Sequence, residues 1–454
     1  MNRIFGTDGV RGVANSELTP ELAFAIGRAG ATVLAYTSHR HLPIIVGRDT
    51  RLSGTMLESA IISGITSVGR DVVSLGIVPS PAVAIVTVQT GAAAGVMISA
   101  SHNPIADNGI KFFGPDGFKL SDAIEDEIES LLECADLPRP TGTDIGVAKV
   151  AQNLTKHYYD RLYADAADLS GLTVVVDGAC GAAYAIAPYA LKKLGATVHE
   201  MFCEADGSRI NVNCGATNLH PIANRVRELI EAGEKHVVGV AFDGDADRAL
   251  FIDETAQMLS GDHLMFVLGC CLHERGELPG DAVVGTVMSN IGLERALDAH
   301  GISLLRAPVG DRYVLEQMRA GGYLLGGEQS GHIIDLRRNT TGDGPMSAIT
   351  LFSIMMRSGK TLHELTREMH VYPQILINIR TARKTVLEQP EIIAAIASAQ
   401  VRLDGSGRLL VRASGTEPLI RIMAEGDDHA QIERITGELA DLIERAAEVQ
   451  TSVL

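Results

Sequence analysis

The sequence predicts an α/β protein: three similar α/β domains with mixed sheets, followed by a smaller C-terminal α+β domain. Two observations carry this prediction. One order of β-branched strands and helical stretches occurs three times before about residue 370, and strands that alternate with helices pack as parallel or mixed sheets. Beyond that point the pattern changes to strand, glycine turn, strand and a closing amphipathic helix. The domain boundaries expected from this pattern are 1–152, 153–254, 255–370 and 371–454.

Each unit can be read in order. LPIIVGRD (42–49), DVVSLGIV (71–78) and the strand leading into GVMISASHNP make the first. LTVVVDGACG (172–181), ATVHEMF (196–202) and HVVGVAFDGDADR (236–248) make the second. DAVVGTVMSN (281–290), ISLLRAPVG (302–310) and YLLGGEQSGH (323–332) make the third. In every unit the third strand runs out into polar residues that a sheet does not need. Open α/β sheets bind ligands at the carboxyl ends of their strands, so three such ends are expected to converge on one cleft. In the last domain QILINIRT alternates as a strand, RLLVRASGTEPLIRIMAEG reads as a hairpin, and HAQIERITGELADLIERAAEV is an amphipathic helix.

Composition narrows the classes of function. The 454 residues carry a net charge of −17, which argues against nucleic acid or an anionic membrane as partner. The 6 cysteines form no Cys-x-x-Cys pair and suggest no disulfide framework. Cys270, Cys271 and His273 lie in the apolar stretch LMFVLGCCLH and are read as packing residues. No apolar run approaches membrane-spanning length and MNRIFGTDGVRG lacks the core of a signal peptide, so a cytoplasmic protein is expected.

Four stretches carry chemistry. In DGDADR, Asp243, Asp245 and Asp247 stand at alternate positions just past a strand, where a cation would relieve their mutual repulsion. With Glu254 they match the spacing of a calcium-binding helical hand. That loop requires Gly where Arg248 stands, however, and helices where this chain has strands. In GVMISASHNPIADNGIKFF the simplest reading is a hairpin closed by Asn108-Gly109. The alternative is a serine that carries phosphate, with His102 and Lys111 as nearby charged or proton-carrying groups. Ser99 and Ser101 are expected on one strand face; the pattern does not choose between them, although Ser101 is expected to be the more exposed. In GGEQSGH, Glu328, Ser330 and His332 alternate, and a carboxylate beside a hydroxyl suits sugar hydroxyls. In RASGTEPLIR, Arg412 and Arg421 flank Ser414, Gly415 and Thr416, the composition of a phosphate cradle.

GTDGVRG, GRDTRLSG, SASHNP, DGDADR, GGEQSGH, TTGDG and RASGTEPLIR together resemble the α-D-phosphohexomutases, in that order and over nearly the whole chain. GTDGVRG and GEQSGH are most similar to the bacterial branch that acts on glucosamine phosphates; phosphomannomutases and phosphoglucomutases more often carry Met where Gln329 stands. Ala246 departs from the DGDGDR usual in that branch, and because it replaces a non-ligand it is expected to matter little.

The resemblance implies four domains around a central cleft and a phosphoserine at Ser101 rather than Ser99. It implies one Mg²⁺ held by Asp243, Asp245, Asp247 and the Ser101 phosphate. Glu328 and Ser330 would hold sugar hydroxyls, while Arg412, Ser414, Gly415, Thr416 and Arg421 would hold the phosphate not being transferred. Lys111 and His332 match positions proposed for proton transfer, His102 neighbours the phosphoserine, and Arg11 and Arg248 match basic positions lining the cleft. The implied reaction converts glucosamine 6-phosphate to glucosamine 1-phosphate through glucosamine 1,6-bisphosphate, feeding UDP-N-acetylglucosamine and cell-wall precursor synthesis. Its partner is a small phosphosugar, and the protein is expected as a monomer or homodimer. The alternatives are the same machinery on mannose or glucose phosphates, an aspartyl-phosphate hydrolase using Asp243, and a non-catalytic sugar-phosphate sensor.

Overall fold

The computed structural model describes residues 3–6, 8–36, 42–134, 136–414 and 418–448. The chain divides into two compact units, Met1–Met288 with Ile302–Arg367, and Ser289–Gly301 with Glu368–Leu454.

The first unit holds three mixed sheets. The first contains β1 (Val10–Val13), β2 (Ile44–Arg48), β3 (Val72–Ile77), β4 (Ala94–Ile98), β5 (Asp107–Phe113) and β6 (Ala148–Val150), in the order β1-β5-β4-β2-β3-β6. The second contains β7 (Thr173–Asp177), β8 (Thr197–Met201), β9 (Val237–Phe242), β10 (Ala249–Ile252) and β11 (Met258–Leu259), in the order β11-β10-β9-β7-β8. The third contains β12 (Ala282–Thr286), β13 (Ser303–Ala307), β14 (Leu325–Gly327) and β15 (Ile333–Asp335), in the order β13-β12-β14-β15.

The same four-strand core stands in all three. Three parallel strands, β3-β2-β4, β8-β7-β9 and β13-β12-β14, are each followed by an antiparallel fourth, β5, β10 or β15. The central strands are runs such as Val174, Val175 and Val176, or Ile44, Ile45 and Val46, buried on both faces as parallel strands covered by helices must be. Each buried Val or Ile contributes about 1.5–3 kcal/mol by leaving water.

That shared topology positions the chemistry. The segments 99–106, 243–248 and 328–332 are the same connection, third strand to antiparallel fourth, in three sheets. The hairpin reading of the first segment is therefore half right. β4 and β5 do pair, with Met97 opposite Lys111, but Asn108 and Gly109 lie inside β5 and the turn is the polar loop itself.

The second unit is built on an antiparallel sheet, β16 (Gln374–Arg380), β17 (Gly407–Ala413) and β18 (Leu419–Gly426), in the order β16-β18-β17. Ile420, Ile422 and Ala424 of β18 pack with Ile432, Ile435, Leu439 and Ile443 of the helix His429–Glu448, an i, i+3, i+4 stripe. Among the described residues no helix is long and apolar enough to cross a membrane.

Candidate active site

Ser101 lies just past β4 with φ at 51°, in the left-handed region that a residue with a Cβ enters only when its surroundings impose it. Arg51 is the principal constraint. Its buried guanidinium donates to the carbonyls of Ser101 (2.9 Å), Asn103 (2.8 Å), Pro104 (2.6 Å) and Asp107 (2.9 Å), and through Nε to Asp49 (3.0 Å). All five N–H donors of the fork are thereby used. Asp49 accepts from Ser99 Oγ at 2.6 Å, and Ser99 Oγ accepts from Ser101 N at 2.9 Å. From the loop that follows β8, Asn211 Nδ2 donates to the Ser101 carbonyl at 2.9 Å.

Two expectations are corrected here. Ser99 and Ser101 do not share a strand face, because β4 ends at Ile98 and the chain turns left-handed at Ser101. Nor is Ser101 the more exposed: both serines are buried, since Asn211 and Asp243 close over the loop.

Ser101 Oγ donates to Asp243 Oδ2 at 2.5 Å and lies 3.2 Å from His102 Nδ1. Asp243, Asp245 and Asp247 are buried, and their ligand oxygens lie within 4.8 Å of one another. Burial, then the charges of Asp247 and Asp245, push the Asp243 carboxyl well above its usual range. Lys111, itself buried on β5, reaches Asp245 Oδ2 at 2.7 Å and Asp247 Oδ2 at 3.6 Å. Burial alone would lower the Lys111 pKa, but Asp245, Asp8 and Asp247 outweigh it and raise it. Ser80, at the start of the helix Ser80–Thr90, also donates to Asp245.

The donor set fits a hard cation. Asp245 Oδ1 and Asp247 Oδ1 are buried without a hydrogen-bond partner among the described residues, an expensive arrangement for carboxylate oxygens unless an ion completes it. The calcium-hand reading fails as expected: β9 and β10 flank the aspartates, and Glu254 instead accepts from Leu362 N and His363 N at the start of a short helix. Cys270, Cys271 and His273 lie in the helix Gly261–Glu274, and His273 pairs with Asp281.

The other basic groups surround this cluster. Arg11 pairs with Asp8 and reaches Asn103 Oδ1 at 3.5 Å, while Arg248 Nε lies 3.9 Å from Asp247 Oδ1. His102 is exposed overall; desolvation of its ring, then Arg248 and Arg11, draw its pKa down to about 4. In the third loop, Glu328 Oε1 accepts from Gly310 N at 3.1 Å, and Ser330 Oγ is buried without a hydrogen-bond partner among the described residues. His332 Nδ1 faces Asp247 Oδ2 at 3.5 Å, and Nε2 accepts from Gly342 N at 3.1 Å. Gly342 of TTGDG is required for that approach, because a Cβ there would lie 2.5 Å from the ring. The hydrogen bond on Nε2 leaves the ring proton on Nδ1, directed at Asp247.

In the second unit Arg412 and Arg421 stand directly opposite on β17 and β18. Burial and the Arg421 charge lower the Arg412 pKa. Like charges facing each other across a ladder repel, which an anion between them would relieve. Ser414 is buried, and its carbonyl accepts from Lys384 Nζ at 2.5 Å. Gly415 and Thr416 lie outside the described residues.

Sequence reasoning gave no role to Asp49, Arg51, Ser80, Asn211 or Gly342. GRDTRLSG and TTGDG marked three of them as motif members, but Ser80 and Asn211 carried no signal.

A buried serine facing three clustered aspartates, with a third polar loop beside them, on three copies of one sheet is the arrangement of an α/β protein of the phosphohexomutase type. Models of the phosphoglucomutase/phosphomannomutase family match along the chain: alpha/beta/alpha domain I over residues 2–138, domain II over 155–257, domain III over 260–372 and the C-terminal domain over 376–442. The chain belongs to the phosphoglucomutase/phosphomannomutase family.

Among its relatives, a protein from Caldanaerobacter subterraneus subsp. tengcongensis called phosphoglucosamine mutase is 51% identical over 98% of this chain and 99% of that protein. One of the same name from Staphylococcus aureus is 48% identical over 98% of each. A phosphoglucomutase/phosphomannomutase family protein from Burkholderia thailandensis superposes with a TM-score of 0.83 at 23% identity, covering 99% of this chain and 98% of that one. Aspergillus fumigatus N-acetylphosphoglucosamine mutase, solved with GlcNAc-6P and magnesium, does so at 0.66 and 18% identity, covering 98% and 96%. These two structures bear on the fold alone.

Proposed function

We propose that the chain interconverts glucosamine 6-phosphate and glucosamine 1-phosphate by way of phosphorylated Ser101 and glucosamine 1,6-bisphosphate. The observation that carries this reading is Ser101 Oγ 2.5 Å from Asp243, inside a cluster of three carboxylates and one buried lysine. The two relatives called phosphoglucosamine mutase, each matched over nearly its whole length, support the sugar assignment. We assign the phosphoserine, cation, sugar and distal-phosphate roles to 1–152, 153–254, 255–370 and 371–454 respectively, in a cytoplasmic monomer or homodimer.

In the forward direction the Oγ–P bond of Ser101 breaks as the sugar O1–P bond forms; the O1–H proton passes to the proton-carrying groups around the loop and Ser101 Oγ takes one up, giving the bisphosphate. After the intermediate turns over, its O6–P bond breaks, Ser101 Oγ exchanges its proton for the phosphoryl group and O6 takes up a proton, so that the net proton moves from O1 to O6. Lys111, held protonated by Asp245 and Asp247, balances the charge of the transferring oxygens and is the proton donor we assign. Arg11, Arg248 and His102 add positive or proton-carrying groups around the same loop. His332, with its proton directed at Asp247, orients that carboxylate. Glu328 and Ser330 receive sugar hydroxyls, and Arg412, Ser414, Gly415, Thr416 and Arg421 hold the phosphate that stays. Mg²⁺ bound by Asp243, Asp245, Asp247 and the phosphoserine would supply Lewis-acid stabilisation of the phosphoryl oxygens.

The test is turnover of glucosamine, glucose and mannose 6-phosphates by purified protein phosphorylated on Ser101, with Mg²⁺ and after chelation. The reading expects glucosamine 6-phosphate to have the highest kcat/KM and chelation to stop turnover reversibly. Preference for mannose or glucose phosphate overturns the sugar assignment, and full activity in chelator overturns the cation.

A further inference from the structure

Lys119 joins two sheets that the chemistry must hold in register. It follows β5 in the first sheet, and its ammonium is shared between Asp8, ahead of β1, and Asp311, 2.5 Å away at the start of the helix Asp311–Gly321 in the third sheet. All three side chains are largely buried, with 13%, 19% and 16% of their surface exposed. The next residue, Arg312, makes a second contact in the same direction, reaching Asp122 at 2.7 Å and Glu125 at 3.4 Å on the helix Asp122–Ser130. Residues 310–312 are also tied to the sugar loop. Gly310 N donates to Glu328 Oε1, and Asp311 Oδ2 lies 3.5 Å from His332 Nε2, a contact that becomes an ion pair only when the imidazole is protonated.

We propose that Asp311 is a positioning residue: bridged by Lys119 to Asp8, it sets Glu328 and His332 of the sugar loop against the Ser101 loop. The first sheet carries the phosphoryl donor and the third carries the groups assigned to the acceptor sugar. The distance between them therefore decides whether the acceptor hydroxyl reaches Ser101 in line. A displacement near 1 Å at that junction costs on the order of 100-fold in rate. Among the described residues the bridge makes no ion pair with Asp243, Asp245 or Asp247, so its loss lowers turnover while most of the ground-state binding survives. This inference rests on the mutase reading.

Asp311→Asn is the first variant, because it keeps the shape of the side chain and leaves Lys119 paired with Asp8. We expect kcat to fall about 10- to 100-fold with KM within about threefold of wild type. Lys119→Arg, which can still fork two carboxylates, should keep most of kcat. Asp311→Asn combined with Lys119→Gln should lose no more than the worse single variant, as two members of one bridge do. Wild-type kcat in Asp311→Asn overturns the proposal, as does a fully additive double variant. Each variant is measured on whichever hexose phosphate the wild type turns over best. Failure of the sugar assignment is then read from the wild type, and failure of the bridge from the variants.

Discussion

Ser101 Oγ donates to Asp243 Oδ2 at 2.5 Å although 142 positions separate the two residues in sequence. Ser99, two residues away, instead points into Asp49 and receives the Ser101 N–H. One serine therefore faces the cation cluster and the other supports its loop. Ser101→Ala is expected to abolish mutase turnover. Ser99→Ala leaves the Ser101 N–H without its acceptor, at a cost of about 1–3 kcal/mol in stability, and retains measurable turnover. Phosphopeptide mapping of the wild type is the check, and label found on Ser99 or on an aspartate defeats the assignment.

Ala246 stands between Asp245 and Asp247, at a left-handed position of their loop. It is fully buried with φ at 59°, and its carbonyl accepts from Gly344 N. Left-handed backbone costs a residue with a Cβ roughly 1–2 kcal/mol, whereas glycine gives up a buried methyl and chain entropy of similar size. Ala246→Gly should therefore melt close to wild type, within about 1 kcal/mol, and stay active. Ala246→Val should lose more than about 2 kcal/mol, because a β-branched side chain fits neither this φ nor this packing. Thermal melts of both variants decide it; a valine variant as stable as wild type would show that the loop carries no strain.

A second buried group ties stability to pH. His263, in the first turn of the helix Gly261–Glu274, accepts from Ser260 N at 3.1 Å, and burial lowers its pKa from 6.5 to about 4. Between those values the unfolded chain binds the proton and the native one does not, so stability falls as pH drops from 6.5 to 4. The span corresponds to about 3 kcal/mol. His263→Gln can still accept from the Ser260 N–H, as glutamine does in a capping box, and it does not titrate. Melting temperatures from pH 7 to pH 4 should fall less steeply for the variant. Parallel curves would locate the acid sensitivity elsewhere.

The parts legible in sequence were those that repeat or cluster. The strand-helix order returned three times, and in each sheet the odd residues do stand between the third strand and an antiparallel fourth. Three aspartates at alternate positions disclosed a buried carboxylate cluster that could hold a cation, because carboxylates that close need a counter-charge. What stayed hidden were partners brought together only by tertiary packing. Asn211 and Ser80 reach the site from segments outside the three repeated loops, and Lys119 meets Asp311 across 192 positions. The left-handed turn at Ser101 was hidden for a related reason: four long-range carbonyl contacts from Arg51 impose it, not the local residues.

Arg421 gives the last prediction. It faces Arg412 directly across β17 and β18, and two guanidinium groups at one register favour an anion between them. If that anion is the phosphate not being transferred, Arg421→Ala removes a charged donor from a dianion. The expected loss is about 1.5–3 kcal/mol in kcat/KM, the scale of a charge-assisted hydrogen bond. Ser101 phosphorylation and cation affinity should be unchanged, since both are built on the other compact unit. The bisphosphate, held at one end only, should escape before its second transfer, so the variant should release glucosamine 1,6-bisphosphate and depend on added bisphosphate for activity. Steady-state kinetics with and without added bisphosphate measure both effects. An Arg421→Ala enzyme with wild-type kinetics and no released bisphosphate would remove the distal phosphate from this hairpin.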